Sequence, residues 1–354
     1  MVFVALEGNK TMNTFQTIEQ MRQSPYVKEK KLLNGISSFN FTRKAFWDRH
    51  WTAATVKARG LFIDTEHGRI KARSFDKFFA IGERRETELD ILAENFEYPV
   101  KAYVKYNGYL GICTGEPDEE GGYRLWCASK STDQSWYAAR FEDLLREALG
   151  NGYRMEHFCR TLYKNNYTAI FEVIDPIQDP HIIEYKAPQV ILLALVMNDD
   201  EDMDFYCKTD EVVKFYNATW KLPYKELAYT INNAEELYQW YDMVRDPLYT
   251  YNGKDIEGFV LQDLDDHMVK VKTVYYDLWK SFRPLIHTIY KGDEVDSWKY
   301  TERLLQRIPN LDSEDLVRVW HFIYWLEKTI PTLSCEPSII EIRNMWIEQH
   351  SGEL

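Results

Sequence analysis

Val100-Lys-Ala-Tyr-Val-Lys105-Tyr-Asn-Gly108-Tyr-Leu-Gly-Ile-Cys-Thr114 is the stretch on which the reading of this chain turns. Its β-branched and aromatic residues read as strand. Glycine, proline and acidic residues from Gly115 to Gly122 form a turn region, and Tyr123 to Ser129 makes a second strand. Lys105 stands at a strand end, followed three positions later by Gly108. A lysine, two residues and a glycine is a pattern that ordinary residue frequencies supply about once in a chain of this length. Lys57-Ala-Arg-Gly60 fits it equally well. The tetrapeptide alone therefore singles out no chemistry.

Outward from this stretch the elements are of mixed kind. Residues 12–34 carry helix-forming runs. Residues 59–79 read as two short strands around the turn Glu66-His67-Gly68-Arg69. A helix is expected over Trp136–Leu149, ended by Gly150. Strands are expected over Thr168–Ile174, Ile182–Tyr185, Val190–Val196, Gly258–Gln262 and Met268–Val274, with a helix over Ala234–Val244 and an acidic loop over Asp199–Asp204. Beyond Asp277 the pattern turns helical. Asp312 or Ser313 caps a helix with Leu316, Val319, Trp320, Ile323 and Tyr324 at helical spacing, and another is expected from Glu336 to Gln349.

At 354 residues the chain exceeds one ordinary core, so a main domain with an appendage is expected. Its 45% hydrophobic and 15% aromatic content exclude a disordered chain. The longest apolar run, Val190 to Met197, is strand-sized and far short of a membrane span. Residues 1–10 lack the features of a secretory signal, so a cytoplasmic protein with no membrane partner is the expectation. Five cysteines without zinc-knuckle spacing read as reduced and structural. The net charge of -13 excludes a protein that coats nucleic acid indiscriminately. Between Arg43 and Arg85, however, eleven basic residues face five acidic ones, a local balance of +6. From 277 to 354 the balance is -4, nine basic against thirteen acidic, so the helical tail is no obvious clamp for RNA.

Three features downstream of Lys105 separate it from Lys57. Glu172 lies inside the apolar strand Ile170-Phe-Glu-Val-Ile174, where an unpaired carboxylate costs several kcal/mol and so needs a partner. Glu257-Gly258 follows. Lys270 and Lys272 then share one face of a strand, because side chains at i and i+2 point the same way. Each has a bland reading: a structural ion pair, a turn, a solvated strand face. In this order they are similar to the covalent nucleotidyltransferase superfamily of ligases and capping enzymes. Ala58-Arg-Gly-Leu-Phe62, Arg73-Ser-Phe-Asp-Lys-Phe-Phe79 and Ala128-Ser-Lys-Ser-Thr132 resemble more narrowly the RNA ligase 1 group, which includes phage RNA-repair ligases and the ligase domain of fungal-type tRNA ligases. The resemblance covers roughly residues 38–277.

The resemblance implies an α+β fold: an adenylyltransferase domain of antiparallel sheets with flanking helices over 1–276, and a small all-helical C-terminal domain over 277–354. It implies ATP and Mg²⁺ or Mn²⁺ as cofactors, and RNA ends as partners, broken tRNA among them. Lys105 would take AMP from ATP, AMP would pass to an RNA 5'-phosphate, and a 3'-OH would seal the strand. By the same resemblance Arg59, Lys77 and Lys130 contact ATP phosphates or the RNA end, Glu172 contacts the nucleotide's sugar, and Lys270 and Lys272 bind phosphate. Phe79, Asn107 and Gly108 fall among the nucleotide-binding positions. Glu257 holds the metal or steers Lys105, and Phe79 has core packing as its equal alternative. A lysine nucleophile must be neutral, and neighbouring cations such as Lys270 and Lys272 favour that form. No Gly-x-x-x-x-Gly-Lys-Ser/Thr stretch is present, so a kinase or phosphatase acting in trans would prepare the ends. Two other readings stand beside this one: a catalytically inactive RNA-binding relative in a repair complex, and a DNA ligase or capping-type enzyme. Those enzymes usually carry an oligonucleotide-binding barrel after the paired lysines, where this chain turns helical.

Overall fold

A computed structural model describes residues 14–199 and 205–350. The chain forms two compact units, each assembled from separated stretches. The first takes the described residues of Met1–Phe79, Gly108–Asp175 and Ala187–Glu226, and the second those of Ala80–Asn107, Pro176–Lys186 and Leu227–Leu354. The expectations for residues 1–10 and for most of the acidic loop at 199–204 lie outside the described residues.

In the first unit, Val27–Lys31, Ile36–Phe41, Leu61–Asp64 and Arg69–Arg73 form an antiparallel sheet in chain order. The hairpin at 66–69 is present. Asp64 accepts hydrogen bonds from the backbone N–H groups of Glu66 and His67, and Gly68 takes φ +66° to close the turn. A second sheet runs Tyr206–Cys207, Gln189–Met197, Tyr167–Ile174, Tyr109–Pro117, Tyr123–Ala128. The helix Trp136–Leu149 is capped by the Ser135 hydroxyl and ended by Gly150 at φ +67°. With Tyr153–Lys164 it covers this sheet over a core of Phe141, Phe158, Phe171 and Trp220. A side chain at Gly115 would come within 2.0 Å of the Cys159 carbonyl oxygen, so helix and strand approach through that glycine.

The second unit has a sheet in the order Leu227–Ile231, Val100–Lys105, Gly258–Gln262, Met268–Lys272, with Phe79–Ala80 at its edge. Leu89–Asn95 and Ala234–Val244 pack on it around Trp240, Phe259 and Leu261. Helices Val274–Tyr290, Ser297–Arg307, Ser313–Thr329 and Ile339–His350 enclose another core, built on Trp279, Phe282, Phe322 and Trp346. Asp312 caps the third of these, as its sequence predicts.

The fold is thus α+β, with antiparallel sheets, flanking helices and a helical C-terminal region. Four local expectations are corrected. Residues 14–31 are a helix, Thr14–Gln23, and then the strand Val27–Lys31, which pairs with Ile36–Phe41. Val100–Thr114 is two strands in two sheets, broken between Lys105 and Tyr109. Ile182–Tyr185 is irregular: its isoleucines enter the helical core and its backbone is bonded by side chains rather than by a ladder. The strand at 268 ends at Lys272, because the Thr273 hydroxyl caps the helix Val274–Tyr290. No described helix is long and apolar enough to cross a membrane. All five cysteines are free, Cys113 and Cys127 facing each other across a strand pair.

Phe322 is fully buried where the rings of Trp279, Phe282 and Trp346 meet. Phe322→Ala should cost about 3–5 kcal/mol, read as a lower denaturant midpoint in tertiary fluorescence; an unchanged midpoint would refute the packing described.

Candidate functional site

Three neighbouring strands of the second unit bring the nucleophile candidate to its partners. In the ladder Lys105 lies opposite Gly258, and Gly258 opposite Lys272, so one row crosses Val100–Lys105, Gly258–Gln262 and Met268–Lys272. Gly258 has φ +145°, and a Cβ there would meet the Val271 carbonyl oxygen at 2.0 Å. No other residue type fits this row. The Glu257 carboxylate enters just before it, only 4% exposed.

Glu257 Oε1 is 3.0 Å from Lys105 Nζ and 3.6 Å from Lys272 Nζ, and Oε2 accepts from Asn107 Nδ2 at 2.8 Å. Burial raises the carboxyl pKa, but the charges of Lys105 and Lys272 outweigh it and leave it below the usual value. Burial pushes the Lys272 ammonium down to about 8; Glu257 opposes this, while Lys280 and Lys105 add to it. Lys272 Nζ also lies 4.5 Å from the centre of the Tyr276 ring. Lys270 stands two rows away, opposite Val260 and on the face of Lys272. Lys105, Asn107, Glu257 and Lys272 are thus one group, joined by a hydrogen bond and two ion pairs to the same carboxylate.

Asn107 holds this group to the rest of the unit. Its Oδ1 accepts from the Ile183 N–H at 3.1 Å, and its own N–H donates to the Tyr185 hydroxyl at 2.9 Å. Arg343, 5% exposed on the last helix, donates to the Ile182 carbonyl at 2.6 Å, to the Tyr275 hydroxyl at 2.8 Å and to Glu184 at 2.6 Å. Sequence reading missed Tyr185, Tyr276 and Arg343, because their partners are remote in the chain and no local pattern marks them.

The first unit holds the other candidates. Arg59 Nη1 donates to the Ser74 hydroxyl at 2.9 Å and the Phe75 carbonyl at 3.1 Å. Burial lowers its pKa, and the charges of Glu172 and Asp76 pull it back up. Lys77 Nζ lies 3.7 Å from the centre of the Phe79 ring and 5.1 Å from that of Trp51. Phe79 packs edge-on to Trp51 and is 8% exposed, so it has a structural role in any case. Lys130 keeps a solvent-exposed surface, yet burial of its ammonium, then the charges of Arg59 and Lys77, lowers it to about 8. Glu172 is half-buried in its apolar strand and has a partner there: Oε1 accepts from the Gly108 N–H at 2.8 Å. At Gly108 a Cβ would be 2.1 Å from the Val173 carbonyl oxygen, so the protein's own backbone accounts for this glycine.

Among the described residues no three His, Cys, Asp or Glu side chains converge to hold a metal. Glu257 is a single carboxylate whose two oxygens already face nitrogen donors. This donor set does not form a protein cage for a divalent ion. It suits a carboxylate that orients a lysine.

The family model described as RNA ligase matches residues 57–276, more than half of the chain. A tRNA ligase of Candida albicans is 25% identical over 297 residues, covering 73% of this chain and 35% of that protein. A tRNA ligase 1 of Schizosaccharomyces pombe is 24% identical over 282 residues, covering 75% and 33%. The chain spans about a third of the length of these relatives. The structure of an archaeal ATP-dependent RNA ligase, form 2, shares the fold with a TM-score of 0.53 at 10% identity, covering 95% of this chain and 90% of that one.

The depressed Lys272 pKa has a consequence for stability. In the unfolded chain this lysine returns to its ordinary value of 10.5. From about pH 8 up to that value the unfolded chain binds the extra proton, so the fold gains stability as pH rises through the window. The gap in stability between the wild type and Lys272→Met should therefore widen in the wild type's favour from pH 8 to pH 10 in denaturant titrations. A gap independent of pH would show that Lys272 is not held in this way.

Proposed function

Because the chain belongs to the RNA ligase family, we infer that it seals RNA 5'-phosphate and 3'-OH ends at the expense of ATP, through an adenylate carried on Lys105. The observation that carries this reading is the group Lys105, Asn107, Glu257, Lys272: a lysine at a strand end, oriented by a buried carboxylate, with a second ammonium in the same row. Lys105 Nζ, once deprotonated, attacks the α-phosphorus of ATP, and pyrophosphate leaves. The AMP then passes to an RNA 5'-phosphate, freeing Lys105, and a 3'-OH attacks that phosphate as AMP departs. Glu257 is the carboxylate within reach of the lysine's proton and keeps Nζ aimed along the row. Lys272 and Lys270 offer positive charge to phosphate oxygens. Mg²⁺ or Mn²⁺, brought on the triphosphate, would supply further charge neutralisation there.

We assign Arg59, Lys77 and Lys130 to the phosphates of the nucleotide or the RNA end, Glu172 to the nucleotide's sugar, and Phe79, Asn107 and Gly108 to the surroundings of the nucleotide. We further assign adenylyl transfer to residues 1–276, with the helices after 277 bracing it through Arg343. Broken tRNA fits as a substrate, since the relatives include tRNA ligases. A separate kinase or phosphatase would then heal the ends, and the cytoplasm is the proposed location.

Incubation with ATP labelled in the α-phosphate and Mg²⁺ should leave an acid-stable label on the chain. Lys105→Ala should abolish it, and Glu257→Gln should slow its formation by about 100-fold. A wild type that takes no label across a range of pH and metals would leave an RNA-binding relative without catalysis as the surviving reading.

A further inference from the structure

Beside the cations of the first unit lies a surface of which the reaction above uses only Lys130. Phe41, Thr42, Arg43, Phe46, Trp47 and Lys130 line an open depression of about 390 Å³. Trp47 is 78% exposed and Phe46 52%, a large apolar area for a solvated five-residue helix. Their rings meet edge to face at 6.3 Å, and Phe46 contacts Trp51 in the same way at 6.4 Å. Arg43 lines the depression with them, Lys44 and Arg49 are their neighbours in the chain, and Asp48 is the one acid between 41 and 51. Asp48 accepts a hydrogen bond from the Tyr26 hydroxyl. The patch is therefore aromatic and cationic within a chain whose net charge is -13.

We propose that this depression is a stacking site for the base of an unpaired ribonucleotide next to the end being joined. Two features choose that occupant. The first is charge: an aromatic surface rimmed by guanidinium and ammonium groups matches a base with its phosphates, whereas a neutral apolar partner would leave those cations facing apolar groups. The second is continuity. Lys130 lines the depression, and it is close enough to feel the charges of Arg59 and Lys77, the cations assigned with it to phosphates or the RNA end. A base on Trp47 places its phosphate toward Lys130. The inference rests on the reading of the chain as an RNA ligase, but its test does not need catalysis.

Binding of a fluorescent single-stranded oligoribonucleotide to the full chain would be compared with binding of its base-free ribose-phosphate counterpart. Trp47→Ala should weaken binding of the first about tenfold and leave the second unchanged; Trp47→Phe should retain most of the affinity. The wild type should prefer the strand with bases, and the preference should vanish in Trp47→Ala. Lysyl-AMP labelling should be the same in the wild type and in Trp47→Ala. Equal RNA affinity in the wild type and Trp47→Ala would overturn the proposal, and so would a wild type indifferent to the bases. A missing label in both, with the binding pattern intact, would count against the catalytic reading and not against the stacking site.

Discussion

A carboxylate with 4% exposure stays ionised only if the protein gives it partners, and much of the second unit is arranged to give them to Glu257. Lys105 and Lys272 come from the two strands flanking Gly258, and Asn107 comes from the turn after Lys105. The strands must approach closely for this row to close, which is why position 258 has no room for a Cβ. The register has no slack, since a slip of one residue would turn both lysines to the opposite face. Charge burial and strand register are thus one constraint, and the geometry of the nucleophile candidate follows from it.

The same constraint reaches into the helical region. Asn107 spends its amide on Glu257 and its carbonyl on the Ile183 N–H, so the carboxylate is only as steady as the irregular segment around Ile183. That segment is held from one side by its isoleucines in the helical core and from the other by Arg343. A tail with net charge -4 therefore need not touch RNA to matter. Through the Ile182 carbonyl and Asn107 its last helix is connected to the carboxylate that faces Lys105.

Features legible in the sequence are those where a local pattern has a single physical solution. The turn Glu66-His67-Gly68-Arg69 allows one hairpin, Gly150 ends one helix, and Glu172 in an apolar strand demands a partner, which the Gly108 N–H provides. The features that escaped have two solutions of equal local merit. Val100–Thr114 carries strand-forming residues throughout, so nothing local shows that the chain changes sheet after Lys105. Ile182-Ile183 is as good a strand core as it is a plug for a helical core. Asn107 enters the sequence reading only as a nucleotide-binding position, because its partners at 183 and 257 are brought near only by the tertiary fold.

The acidic total and the proposed RNA substrate are reconciled by where the charge is spent. Of the carboxylates, Glu257 and Glu172 are committed to internal groups, and Asp76 to Arg73 at 2.8 Å. Among the arginines and lysines of 43–85 and Lys130, some lie beside aromatic rings, Lys77 over Phe79, Lys130 over Phe41 and Lys44 over Tyr26, while Lys71 and Arg73 are paired to Glu116 and Asp76. A ring face attracts a cation without neutralising it, whereas a carboxylate partner must be given up before a phosphate can take its place. Affinity for nucleic acid depends on the cations that reach phosphate and not on the sum over the chain. An acidic protein can hold an RNA end in this way while its remaining surface repels the rest of the strand, which favours contact at ends over coating along the length.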